Sequence, residues 1–198
     1  MNGNDGGILW LNPDQAQHVL KLRRGGIIAM GLRSKSSLLT AKLTDGKKDI
    51  VIGTKLGKAV RFKESDVRPM GRQAAGVRAI NLGSKDEIIG MVIAGDKEPF
   101  IFTASEKGLG KKTEVKRYPR HRRGGKGVMN LKVNRKTGRA IGMVGISSEE
   151  VILITELAKV IRIKTDKVRP LGRATQGVRI INLEKGDKVV SIAKIGES

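Results

Sequence analysis

Val67-Arg68-Pro69-Met70-Gly71-Arg72, followed by Gly76-Val77-Arg78, returns 101 residues later as Val168-Arg169-Pro170-Leu171-Gly172-Arg173 and Gly177-Val178-Arg179. Extended outward without a gap, residues 49–94 align with 150–195 at 17 identical positions of 46. Half that offset finds weaker copies: Gly127-Val128 lies 51 residues after Gly76-Val77, and Gly26-Ile27 lies 50 before it. A period near 50 divides the 198 residues into four units, 1–48, 49–98, 99–148 and 149–198, within a single repeat domain. Periods of this size suit helical arrays or propeller blades, so the apolar pattern has to decide.

The pattern favours strands. Unit 4 holds short β-branched runs at Val151 to Thr155, Lys159 to Lys164, Val178 to Leu183 and Val189 to Ile195, and unit 2 repeats them at Ile50 to Thr54, Ala59 to Lys63, Val77 to Leu82 and Ile88 to Ala94. Each is too short for a globular helix, and Val160-Ile161-Arg162-Ile163-Lys164 alternates with the period of a half-buried strand. Four strands per repeat describe a propeller blade. The fold expected is therefore all-β, with about four four-stranded blades. The first hairpin of unit 2 turns at Leu56-Gly57 and that of unit 3 near Lys107-Gly108, where positive φ is cheap for glycine. Unit 4 has Ala158 at this place, so its turn must differ or carry strain.

Unit 1 is the degenerate copy. Ile8 to Leu11 and His18 to Leu22 are expected to form its first hairpin, turning through Asn12-Pro13-Asp14-Gln15, but the loop ending in Val-Arg-Pro-x-Gly-Arg is missing. With no Cys in the chain there is no disulfide and no thiolate metal site, which fits a reducing cytoplasm. No apolar stretch reaches the roughly 18 residues of a membrane span, and the first residues lack the features of a signal peptide. The expected location is cytoplasmic.

Charge points to a partner. Forty Lys and Arg against 19 acids leave +21, whereas solubility needs a net charge of only about 2 to 8. By unit the balance is +5, +2, +11 and +3, so more than half sits in unit 3, whose segment 107–126 is dense in Lys and Arg. A field of this size favours a polyanion. Single-strand and RNA readers need aromatic stacking platforms. Only Trp10, Phe62, Phe100, Phe102 and Tyr118 are aromatic here, and the three Phe sit in core-type strand patterns. A basic surface poor in aromatics fits sequence-nonspecific contact with the backbone of double-stranded DNA.

The run from Lys58 to Arg72 with Gly76-Val77-Arg78, and its copy from Lys159 to Arg179, closely resemble blades of the C-terminal domain of DNA gyrase A, with spacing and order shared over about residues 21–198. Topoisomerase IV carries a similar domain, and both assignments stay open. The resemblance implies a β-pinwheel, a propeller whose blades exchange strands and whose basic rim bends or wraps duplex DNA. It implies as further partners the cleavage core of gyrase A and, through it, the ATPase component of a type IIA topoisomerase. Such domains usually have about six blades, whereas this chain has room for four. The family's signature box, Gln-Arg-Arg-Gly-Gly-Lys-Gly, is matched at six of seven positions by His121 to Gly127. That segment lies in unit 3, where Gly127 aligns with Gly76 and Gly177, so a working box and a very basic blade loop both stay open.

The DNA-contacting residues expected are Lys58, Arg61, Arg68, Arg72 and Arg78 in unit 2, Lys159, Arg162, Arg169, Arg173 and Arg179 in unit 4, and Lys111, Lys112, Arg122, Arg123 and Lys126 in unit 3. An Arg recurring at a fixed repeat position, such as Arg72 or Arg173, has the alternative role of pinning a loop to the neighbouring blade. No catalytic constellation is expected. Arg117-Tyr118 resembles the Arg-Tyr pair of type IIA active sites, but Pro119 follows it within a repeat loop. Residues 108–113 miss the phosphate-loop spacing. His18 and His121 lie in different units with no ligand cluster, so neither a metal nor a cofactor is expected. Asp86 and Asp187 share one repeat position and read as turn residues. The alternatives to a topoisomerase domain are a stand-alone architectural DNA-binding propeller, or a propeller that binds an acidic protein and shows an exposed apolar patch.

Overall fold

A computed structural model describes residues 6–11, 28–33, 36–95 and 98–195. Its strands are β1 (Gly7–Ile8), β2 (Trp10–Leu11), β3 (Asp49–Thr54), β4 (Lys58–Lys63), β5 (Pro69–Met70), β6 (Val77–Arg78), β7 (Ile88–Ala94) and β8 (Phe100–Ser105). They continue with β9 (Leu109–Glu114), β10 (Val128–Met129), β11 (Ala140–Ile146), β12 (Glu150–Thr155), β13 (Val160–Lys164), β14 (Val178–Arg179) and β15 (Val189–Ile195). A short 3-10 turn follows the second long strand of units 2, 3 and 4. No described helix is long and apolar enough to cross a membrane.

Three strands of each of units 2 to 4 form an antiparallel sheet in the order inner, middle, outer: β7-β3-β4, β11-β8-β9 and β15-β12-β13. In the sheets of units 2 and 3 a fourth strand comes from the next unit. β10 of unit 3 pairs with β4, with Val128 opposite Ala59, and β14 of unit 4 pairs with β9, with Val178 opposite Gly110. β6 of unit 2 likewise pairs with β1, with Val77 opposite Ile8. This exchange makes the fold a β-pinwheel. Among the described residues the outer edge of β13 has no such strand, so the last sheet has three.

One expectation changes. The third apolar run of each unit is not a six-residue strand of its own blade: Val77 and Arg78 pair with the neighbour, and Ala79 and Ile80 then turn into the core. Ile8 to Leu11, the first half of the hairpin expected in unit 1, pairs with unit 2. Ala79 and Ile80 donate to the carbonyl of Gly6, as Asn130 and Leu131 do to Gly57 and as Ile180 and Ile181 do to Gly108. Gly6 to Leu11 therefore takes the place of the repeat's outer strand, while His18 to Leu22 lies outside the described residues.

Close approach explains the glycine that recurs in the exchanged loop. Gly127 has φ +68°, and a Cβ there would lie 2.6 Å from the carbonyl oxygen of Ala59. Gly177 meets the Gly110 oxygen at the same distance and Gly76 the Ile8 oxygen at 2.4 Å. Only a residue without a side chain lets the two backbones pair so tightly.

The core lies between blades. All six residues of β3 are buried because its two faces serve two interfaces. Ile50 and Ile52 pack with Phe62, Val67 and Ile80, while Val51 packs with Ile101, Val115, Tyr118 and Met143 of unit 3. Phe102 and Ala104 then meet Leu153, Val168 and Ile181 of unit 4. Burying one such large side chain contributes about 1.5–3 kcal/mol, so stability resides in blade contacts rather than in any isolated blade. Inner strands of units 2 and 3, with Leu39 and Leu43 of unit 1 and Lys194 of unit 4, border a cavity of about 540 Å³.

Candidate nucleic-acid interface

Strand exchange puts a loop and a two-residue strand on the outer rim of each junction, and these segments carry the repeated Arg-Pro, Gly-Arg and Val-Arg pairs. Exposed among the sequence-derived candidates are Lys58, Arg68, Arg72, Arg78, Arg122, Lys126, Arg162, Arg169 and Arg179, with Lys159 half-buried. Val77-Arg78 and Val178-Arg179 alternate as strands must: Val packs inward while Arg faces solvent. Arg162 is held by the Glu150 carboxylate and Lys159 by Glu184 at 2.5 Å, both near the surface.

Three candidates are committed to blade junctions instead, two of them buried and Arg61 partly so. Lys111 is fully buried, and its ammonium donates to the carbonyls of Gly172, at 2.9 Å, and Arg173. Lys112 is 7% exposed, donates to the Thr165 carbonyl at 2.9 Å and lies 5.1 Å above the Phe100 ring. Arg61, one repeat before Lys112, donates to Asp49 at 2.7 Å and to the carbonyls of Val115 and Tyr118 at 2.9 and 3.2 Å. In each case the cation reaches across a blade junction to backbone carbonyls of the next unit. The sequence records the charge but not the loop that covers it, so these three leave the set of cations available to a ligand.

Pinning also claims the recurrent Gly-Arg position. Arg123 donates to the carbonyls of Asp66 and Arg78 at 3.0 and 3.1 Å, and Arg173 donates to that of Met129, the residue equivalent to Arg78, at 3.0 Å. Each guanidinium ties its exchanged loop to the preceding exchanged strand. Both remain partly exposed. Sequence reasoning missed Arg120, which donates to Asp49 at 2.9 and 3.0 Å and is half-exposed at the junction of units 2 and 3. Its signal was position: it falls where units 2 and 4 carry Pro69 and Pro170.

Tyr118 is 1% exposed and donates to Asn130 Oδ1 at 2.6 Å, while the Asn130 amide donates to Thr103 Oγ1. Burial pushes its phenol pKa up. A phenol so enclosed and so hard to ionise cannot attack a substrate, and it acts as a polar tie inside the junction. Asp86 and Asp187 accept from the backbone N–H of Leu56 and Leu157 at 2.8 and 3.2 Å, in agreement with a turn role. Among the described residues no cluster of His, Asp and Glu could hold a metal ion.

Burial, aided by the Arg173 charge, lowers the Lys111 ammonium from 10.5 to about 7. The unfolded chain therefore binds one more proton than the native state between these values, so stability rises with pH across that window and the burial penalty is greatest below it. Lys111→Met is expected to flatten this rise. Unfolding free energies of both proteins at pH 7 and 9.5 check it: equal slopes would mean that Lys111 keeps its charge in the fold.

The family model of the DNA gyrase C-terminal domain, beta-propeller, matches residues 48–94, 99–144 and 149–195. The DNA gyrase A protein of Lawsonia intracellularis is 42% identical over 178 residues, covering 88% of this chain and 22% of that protein. Its counterpart from Pseudomonas aeruginosa is 39% identical over 176 residues, covering 88% and 19%. The chain thus spans about a fifth of the length of these curated relatives. The crystal structure of the C-terminal domain of DNA topoisomerase IV superposes with a TM-score of 0.88 at 25% identity, over 98% of this chain and 62% of that one. A gyrase A C-terminal domain structure gives 0.83 at 23% identity, over 96% and 63%, and agrees in fold. Repeat, strand exchange and family match converge, and the chain belongs to the family of DNA gyrase C-terminal β-propeller domains.

Proposed function

We propose that this chain is a noncatalytic module that binds duplex DNA through its rim and bends it for a gyrase-like type IIA topoisomerase. The observation that carries the reading is the recurrence of solvent-facing Arg on successive exchanged segments: Arg68, Arg72 and Arg78 in unit 2, and Arg169 and Arg179 in unit 4. Lys58, Arg122 and Lys126 add to this track. Cations that repeat with the blades can follow a phosphate backbone along the rim, and a surface with few exposed aromatics does not read unstacked bases. Bending 20 to 30 base pairs by 40 to 90° costs about 1–6 kcal/mol, so several such contacts must act together. The His121 to Gly127 loop occupies the ordinary exchanged-loop position and serves this track as its most basic loop. The partners that follow are the cleavage core of gyrase A and the ATPase component of the enzyme, with DNA of the nucleoid as the ligand.

The protein-interaction reading has one observation in its favour. Ile154, Leu157, Val160 and Val190 are exposed on the last sheet. The equivalent of Val160 in unit 2 is Ala59, which the exchanged strand of unit 3 covers, so this apolar surface has the character of a blade junction rather than of a site for an acidic partner.

Binding is expected to favour duplex over single strands and to show a log K versus log salt slope of about −4 to −7, at about 0.9 per phosphate contact. A fluorescence-anisotropy titration over a range of salt concentrations measures it. A slope near zero, or tighter binding to single strands, would sink the reading.

A further inference from the structure

We propose that unit 3 carries a second contact for the duplex backbone, on the side of the propeller that bears the hairpin turns. It consists of Lys107, Lys132, Arg135, Lys136 and Arg139. The inference rests on the duplex-binding reading above and adds a site away from the rim.

In units 2 and 4 the loop before the inner strand closes onto the hairpin turn through a carboxylate, with Asp86 accepting from Leu56 N–H and Asp187 from Leu157 N–H. Three cations there are paired with acids: Lys55 with Glu87 at 3.2 Å, Lys159 with Glu184 at 2.5 Å and Lys188 with Glu156 at 2.9 Å. Unit 3 closes the same contact differently. Lys107 stands where the others have leucine, and its N–H donates to the Thr137 carbonyl at 3.1 Å. A neutral backbone oxygen replaces the carboxylate. Residues 132–139 then hold four cations and no acid, whereas 81–87 and 182–188 each hold two acids.

Lys132, Arg135, Lys136 and Arg139 are all exposed, and among the described residues none of them forms an ion pair. The adjoining carboxylate, Glu106, accepts the Arg139 backbone N–H at 2.8 Å. The turn is built to hold its shape. Asn134 Oδ1 accepts from the N–H groups of Lys136 and Thr137 at 2.8 and 3.1 Å, Gly138 N–H returns to the Asn134 carbonyl, and the fully buried Thr137 donates to the Lys132 carbonyl. The Lys107 ammonium caps the Arg135 carbonyl at 2.5 Å. Arg135 and Lys136 therefore project from a backbone that needs no ordering on binding. Lys132 N–H donates to the Thr175 carbonyl and the Asn134 amide to Gln176, which joins the turn to the exchanged loop of unit 4. A duplex lying on that loop passes beside the patch. Unpaired cations without an apolar or aromatic companion suit phosphates rather than bases or a folded protein surface.

The test uses the whole chain with Arg135→Ala and Lys136→Ala together, beside a rim variant with Arg122→Ala and Lys126→Ala, on a duplex long enough to span both sites. The turn variant is expected to lower the magnitude of the salt slope by about 1.8, at about 0.9 per contact. A wild-type slope in a folded turn variant, while the rim variant loses its share, overturns this inference and leaves the rim reading standing. No slope in the wild-type chain overturns both. Because the sequence has no Cys, Lys136→Cys can carry an iron chelate that generates hydroxyl radicals at one place. Cleavage of bound duplex is expected, and its absence overturns the contact. If the turn variant instead loses affinity only for polyglutamate, the patch serves an acidic polypeptide and the proposal fails.

Discussion

Gly57→Ala is expected to destabilise the fold by about 2–4 kcal/mol, whereas Ala158→Gly at the equivalent place stabilises it by up to about 1 kcal/mol. Left-handed backbone costs an L-residue about 1–2 kcal/mol, and both positions are left-handed, with φ +80° at Gly57 and +60° at Ala158. The difference lies in what sits above them. A Cβ on Gly57 would lie 2.2 Å from the Leu131 carbonyl oxygen, in the segment whose Asn130 and Leu131 N–H groups bond to the Gly57 carbonyl at 2.7 and 3.1 Å. The methyl must push the exchanged segment away and weaken both bonds. No described segment crosses Ala158, which is exposed, so its methyl brings only the backbone strain. Urea unfolding of the two variants compares them directly. A loss at Gly57 no larger than the gain at Ala158 would show that exchange does not hold the blades closely.

Asp49→Ala is expected to cost about 2–4 kcal/mol, because removing one member of a buried charge group leaves its partner uncompensated. The Asp49 side chain is 8% exposed and accepts from Arg61, 17% exposed, and from Arg120, so one carboxylate joins the outer strand of unit 2 to the exchanged loop of unit 3. Arg61 keeps its bonds to the Val115 and Tyr118 carbonyls, which moderates the loss. The variant frees Arg120 at the surface, so a protein that still folds is expected to bind duplex DNA at least as tightly as the wild type. A loss of less than about 1 kcal/mol, or weaker DNA binding by a folded variant, contradicts the role given to Asp49.

The candidate interface was legible where a cation sits on an exposed strand or loop position. Arg78 and Arg179 follow from the alternation of Val-Arg in a surface strand. Lys111 and Lys112 were not, because in the sequence Leu109-Gly110-Lys111-Lys112-Thr113 reads as a basic run like any other. Their burial depends on carbonyls at Thr165, Gly172 and Arg173, which are far away in the chain. The patch around Arg135 was hidden for the opposite reason. Its distinction is a missing acid, and that becomes visible only when the Thr137 carbonyl is seen in the place of Asp86 and Asp187.

The sequence by itself determined the repeat, the strand character and the sites of the turns. These follow from local chemistry: β-branched runs of strand length, glycine where φ is positive, and an aspartate at a recurring turn. It also determined the charge that favours a polyanionic partner. Tertiary structure decided which sheet receives each third run and which cations remain available. Val77 pairs with Ile8 and Val128 with Ala59 rather than with their own units because the two-residue strand is too short to specify a partner. The pairing is selected by Gly76 and Gly127 fitting against a neighbour's backbone, and by Ile80 and Leu131 filling the core behind it. A charge's role follows from that choice, since a loop laid over a lysine turns a candidate phosphate contact into a tie between blades.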